Sequence, residues 1–204
     1  MIRAQSITAL RASREIIRDF SVDIEAGKIL AIVGANGSGK STLISALAGD
    51  IPVSQGSITL EGVRLGSLSI RELAKIRSVS TQHQRFSLAY TVQELLEMSH
   101  RFCGDAASAE HSVRALEIEH LLGRKVTSLS GGEQQRVAIS MALAQNTPYL
   151  FLDEPFAAQD LESTQRIAAH LRALAQNGKA VVLVAHMEEK ELAWCDQIIR
   201  IMAR

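Results

Sequence analysis

The chain has 204 residues, 47% of them hydrophobic and 22% charged, the balance of an ordinary globular protein with room for one large domain or two subdomains. Its 22 Lys and Arg offset 22 Asp and Glu, so it lacks the electrostatic footprint of a nucleic-acid binder. No stretch approaches the roughly 18 uninterrupted apolar residues of a membrane span, and Met1-Ile2-Arg3-Ala4-Gln5 does not resemble a secretory leader, so a cytoplasmic location is expected. Cys103 and Cys195 are far apart and outside any C-x-x-C pattern; free thiols are the expectation.

In chain order, Ser6 to Leu10 reads as a short strand. Ile16 to Glu25, with Phe20, Val22 and Ile24 alternating, reads as a half-buried antiparallel strand. After the turn at Ala26-Gly27, the apolar run Lys28 to Val33 suits a buried parallel strand. Gly34-Ala35-Asn36-Gly37-Ser38-Gly39-Lys40-Ser41-Thr42 follows and fits the phosphate-binding pattern G-x-x-x-x-G-K-[ST]. Such a match arises by chance roughly once in a hundred chains of this length. Its flanks strengthen it, because Thr42 to Ala48 reads as a helix closed by Gly49. Gly37 and Gly39 permit a tight turn whose N–H groups face one concavity at the positive end of a helix. Lys40 adds a mobile charge near the phosphates, and the Ser41 hydroxyl is a hard-oxygen ligand suited to magnesium.

Gly56 to Gly62 reads as another strand, Ser69 to Lys75 as a short helix, and Arg77 to Thr81 as a strand ending at Gln82. From 83 to 147 the pattern is helical. Thr91 and Glu94 have capping-box spacing, Ala106 to Leu122 reads as one helix, and Ser130 to Asn146 as the next. Strand–helix alternation resumes with Tyr149 to Leu152, the helix Leu161 to Asn177, and the strand Ala180 to Ala185. A helix from Glu188 to Trp194 and a strand from Gln197 to Met202 complete the chain. The class is therefore α/β: a P-loop core with a mostly parallel sheet, an N-terminal antiparallel β patch and an inserted helical subdomain. The expected division assigns 1–82 and 148–204 to the core and 83–147 to the helical subdomain.

Two further stretches carry chemistry. Asp153-Glu154 follow an apolar strand, at the end of a parallel sheet where ligands bind. Asp153 is placed to support magnesium, directly or through water, and Glu154 to polarise an attacking water. Leu129-Ser130-Gly131-Gly132-Glu133-Gln134-Gln135-Arg136 opens a helix that Ser130 caps, a second helix end suited to phosphate.

The order Gly34–Thr42, Gln82, Leu129–Arg136, Tyr149–Glu154, Asp160 and His186 resembles the ATPase subunit of ATP-binding cassette (ABC) transporters, over nearly the whole chain. The resemblance implies ATP and Mg2+ as cofactors, with Gly34, Asn36, Gly37, Ser38, Gly39, Lys40, Ser41 and Thr42 around the phosphates. It implies that Ser130, Gly131 and Gly132 close over the γ-phosphate held by a second subunit. It makes Gln82 a magnesium-sensing residue, His186 a γ-phosphate contact beside the base Glu154, and Asp160 a residue of the dimer interface. Taken alone, Gln82 suits a solvated strand end, His186 a structural position and Asp160 a simple helix cap. The family usually stacks an aromatic residue on adenine; Arg11 stands there instead, and its planar guanidinium is the available platform. Ala157-Ala158-Gln159 stands where the family usually has Ser-Ala-Leu.

The partners implied are a second ATPase subunit, most simply a homodimer, and transmembrane permease subunits, with no nucleic acid. The place implied is peripheral, on the inner face of the cell membrane. Leu47-Ala48-Gly49-Asp50, Glu72-Leu73-Ala74, the Gln82-His83 pair and Thr91 to Leu96 look like importers of iron-siderophore, haem and cobalamin. The alternatives are a small exporter ATPase of the haem or lipoprotein kind and a soluble ABC ATPase that serves no transporter.

Overall fold

Alternation of apolar and polar residues starts the fold, in a hairpin formed by Ile2–Arg11 (β1) and Arg14–Ile24 (β2). The computed structural model describes residues 1–81, 86, 88–101 and 104–202. The elements that follow are Ile29–Gly34 (β3), Lys40–Leu47 (α1), Val53–Leu60 (β4), Val63–Arg64 (β5), Ile70–Ile76 (α2) and Arg77–Ser80 (β6). Then come Val92–His100 (α3), Ala106–Ala115 (α4), Gly131–Ala144 (α5), Tyr149–Asp153 (β7), Leu161–Gln176 (α6), Ala180–Val184 (β8) and Gln197–Ile201 (β9).

The strands form two sheets. One is antiparallel, ordered β2-β1-β4-β5; the other is parallel, ordered β6-β7-β8-β3-β9. The expected α/β class, with a parallel core and an antiparallel patch, is what forms, and the patch gains β4 and β5. The short strand expected at Ser6 to Leu10 is longer. Ser6 lies at a positive φ of 43° where the β1 register shifts between Ala4 and Ile7, and this bulge hid the alternation.

The parallel strands are buried on both faces, so each divides its side chains between two cores. Leu150 and Leu152 of β7, with Val181 and Leu183 of β8, face α3, α4, α5 and α6. Tyr149 and Phe151, with Val182 and Val184, face α1 and the antiparallel sheet. This arrangement leaves the carboxyl ends of β3, β6, β7 and β8 along one edge, where ligands bind in open α/β sheets.

Two helices expected from the sequence are shorter. The first stops at Ala115, Glu117 turns to a φ of +50°, and a single 3₁₀ turn covers Glu119–Leu121. Leu116, Ile118 and Leu121 are all buried, and no continuous helical face can bury all three. The segment Glu188 to Trp194 forms only one 3₁₀ turn, Glu189–Leu192. Leu192 alone in that turn is buried, too little packing to offset helix nucleation.

Candidate active site at the carboxyl ends of the parallel strands

β3 delivers the chain into the glycine-rich loop, and α1 takes it away. Gly39 precedes α1 at a φ of 100°, in the left-handed region. A Cβ there would stand 2.5 Å from Cγ2 of Ile16, so both conformation and space require glycine. Asn36 and Gly37 form the exposed crown of the loop. Ser38 is turned inward: its hydroxyl is buried without a hydrogen-bond partner, against Gly34, and its N–H donates to the Ala35 carbonyl at 3.2 Å.

Lys40 is buried and folds back across the loop. Its ammonium donates to the carbonyls of Gly34 at 2.9 Å and Ala35 at 3.0 Å, and lies 3.0 Å from Nε2 of His186. The same nitrogen of His186 is 3.5 Å from Oε1 of Glu154. Burial lowers the Lys40 pKa, while the charges of Glu154 and Asp153 oppose the shift. Three residues far apart in sequence thus converge at the ends of three structural elements. Glu154 is held at a φ of 54°, a strained conformation that aims its carboxylate back toward this cluster.

Beside it opens a cleft of about 540 Å³, lined by Arg11, Ser41, Thr42, Thr81 and Asp153 among others. Ser41 and Asp153 bring two hard oxygen donors to its lining, and Arg11 stands at the mouth with no aromatic residue among the described lining residues. Gln82 lies outside the described residues. Among the described residues no group of three or more His, Cys, Asp and Glu is placed to hold a metal. The donors present fit magnesium, which takes one or two protein oxygens and completes its shell with water and phosphate.

The residues Ser130, Gly131 and Gly132 do not line this cleft. Ser130 caps α5 in a capping box with Glu133, whose carboxylate accepts from the Ser130 N–H at 2.7 Å. The start of α5 packs instead on the loop that follows Glu154. Gln159 donates from its amide to the Gly132 carbonyl at 3.0 Å, and Gln135 donates to the Glu154 carbonyl at 3.3 Å. Asp160 caps α6, accepting from the Ser163 N–H at 2.7 Å; that bond and the Ser163 hydroxyl hold its carboxyl below the usual range. Gln135 and Gln159 were not among the expected site residues. The signal for Gln159 was its departure from the family pattern; for Gln135 it was membership of the octapeptide.

Residues 17–157 match the family model described as ABC transporter. The hemin import ATP-binding protein HmuV of Rhodococcus jostii is 36% identical over 205 residues, spanning 97% of this chain and 70% of that protein. A dimeric bacterial ABC transporter cassette superposes with a TM-score of 0.89 at 25% identity, covering 99% of this chain and 94% of that one. A dimeric cassette in a post-hydrolysis state with ADP and Pi superposes with a TM-score of 0.83 at 27% identity, covering 98% and 94%.

Proposed function

This chain belongs to the ABC transporter family and is its ATP-hydrolysing motor, and we propose that it drives import of haem or a related metal chelate as a homodimer docked on permease subunits. The convergence of Lys40, His186 and Glu154 carries the catalytic reading. The haem reading draws on the relatives named as hemin import proteins.

Loop N–H groups and Lys40 bind and orient the triphosphate. Glu154 accepts a proton from the attacking water, and His186, in contact with both Lys40 and Glu154, holds that carboxylate in register with the γ-phosphate. Ser41, Asp153 and Gln82 would hold magnesium, which supplies charge neutralisation on the phosphate oxygens when bound. With little aromatic surface at its mouth, the cleft takes its affinity from the phosphates, and Arg11 supplies what stacking the base receives.

Ser130, Gly131 and Gly132 serve the nucleotide of the second copy. Two observations favour this: they lie away from the cleft of their own chain, and the space a Cβ on Gly131 would occupy is open. A γ-phosphate contacting both copies has differential affinity for the closed dimer, so binding closes it and hydrolysis releases it. Residues 83–147 then move as a helical unit against a core of 1–82 and 148–204, with Asp160 at the dimer boundary. Exposed Leu88, Tyr90 and Met98 offer apolar surface to a permease on the cytoplasmic side of the membrane. The described residues contain no helix long and apolar enough to cross a membrane.

Co-purification from intact membranes, followed by reconstitution with the captured permease, tests the reading. Magnesium-dependent ATP turnover coupled to hemin uptake into vesicles is expected. Capture of soluble partners alone, or efflux in place of uptake, overturns it.

A further inference from the structure

A second cavity, of about 480 Å³, opens at the opposite, amino-terminal edge of the parallel sheet. Its walls are α4 on one side and α6 with the turn before β8 on the other. Its size falls in the usual range for small-molecule sites. The floor is apolar, formed by Leu143, Leu150 and Leu174, and the rim carries Arg114, Lys179, His111 and His170. No carboxylate is among the described lining residues.

Lys179 is half-buried. Its ammonium donates to the Thr147 carbonyl at 2.7 Å, and burial lowers its pKa against the opposing charge of Asp105. An ammonium carries three donors, and a desolvated one with a single protein hydrogen bond gains most from an anionic partner. Asp105 is engaged elsewhere, accepting from the Ser108 N–H at 2.7 Å and from the Asn146 amide at 3.1 Å. The imidazoles of His111 and His170, both in the cavity lining, make a tilted ring contact with centroids 5.2 Å apart. Burial, with His111 adding to it, lowers the His170 pKa from 6.5 to about 4, so near pH 7 its ring is neutral and brings one N–H donor to the cavity.

We propose that this cavity binds a small organic anion with an apolar body, its carboxylate or phosphate at Lys179 and the imidazoles and its body on the leucine floor. Such a ligand bridges α4 and α6; the turn that follows α4 is itself tied to α6 by the Glu117–Arg166 ion pair at 3.1 Å. Occupancy therefore restrains the helical block against the core, a consequence that rests on the proposed function. The site itself does not.

Titration of the purified chain with 1-naphthoate, inorganic phosphate and 1-naphthylmethanol, read by the imidazole NMR resonances of His111 and His170 without ATP, tests the site. Saturable one-to-one shifts with naphthoate are expected, with phosphate and the alcohol each at least about tenfold weaker. Lys179→Gln is expected to weaken naphthoate at least about tenfold, and Ala107→Trp, an exposed position on the rim, to block it with the fold retained. Binding of equal strength in both variants, phosphate binding as tight as naphthoate, or no saturable shift with naphthoate overturns the proposal. Zinc shifting the histidine pair where the anions do not also overturns it.

Discussion

The ammonium of Lys40 lies 3.0 Å from Nε2 of His186, although 146 residues separate them in the chain. Glu154 completes the cluster 3.5 Å from the same nitrogen. Replacing Glu154 with Gln removes the base and keeps the shape. ATP turnover is expected to fall by a factor of at least about 100, with ATP binding retained and the closed dimer accumulating. Turnover assays and ATP-dependent dimerisation by light scattering check this. Undiminished turnover would remove Glu154 from the role of base.

The two glycines of α5 are expected to respond differently to alanine. Helix propensity favours alanine over glycine by at most about 1 kcal/mol at these two first-turn positions. At Gly131 the added Cβ meets open space; at Gly132 it stands 2.7 Å from the Ala158 carbonyl, a backbone atom that cannot rotate away. Gly131→Ala should leave thermal stability unchanged or raised. Gly132→Ala should lower it and displace the loop that Gln159 anchors. Melting temperatures of the two variants decide the point.

Arg11 at the mouth of the nucleotide cleft predicts weak discrimination between bases. Arg11→Tyr supplies an aromatic face and is expected to improve ATP affinity about threefold to tenfold, with less effect on a pyrimidine triphosphate. Arg11→Ala should weaken all nucleotides only slightly. Equilibrium binding of ATP, GTP and CTP measures both.

Acid sensitivity follows from His170, whose pKa is lowered from 6.5 to about 4 by burial and by His111. The unfolded chain therefore binds more protons between those values. The stability held by neutral His170 is complete above the unfolded pKa and is lost as pH falls toward the folded one. The loss is on the order of 2 kcal/mol after allowance for partial exposure. Asp160, Glu133 and Glu94 are shifted below the ordinary carboxylate range by their backbone bonds, and their contribution disappears at lower pH still. His170→Gln should flatten the decline of urea-unfolding free energy across the upper window and leave the lower one intact.

Local chemistry made much of this molecule legible in advance. The glycine loop, the strand before it, the capping box at Thr91 and the Ser130 cap each depend on residues within a few positions, and the structure contains them. The ends of α4 and of the Glu189–Leu192 turn were not legible, because burial of Ile118 and isolation of Leu192 are decided by distant packing. Gln159 was visible only as a departure from a pattern; its bond to Gly132 depends on how α5 approaches the loop after β7.

The sequence alone determined the phosphate loop, the strand-and-helix alternation and the family, since these rest on local spacing and on motif order along the chain. Tertiary structure decided which charges meet. Parallel pairing sets β7, β8 and β3 side by side, and only that order brings Glu154, His186 and Lys40 together. The same packing turns Ser130 to Gly132 away from their own cleft and closes a cationic cavity under α4. Side-chain convergence at these distances depends on long-range contacts between elements, and no local pattern in the chain encodes it.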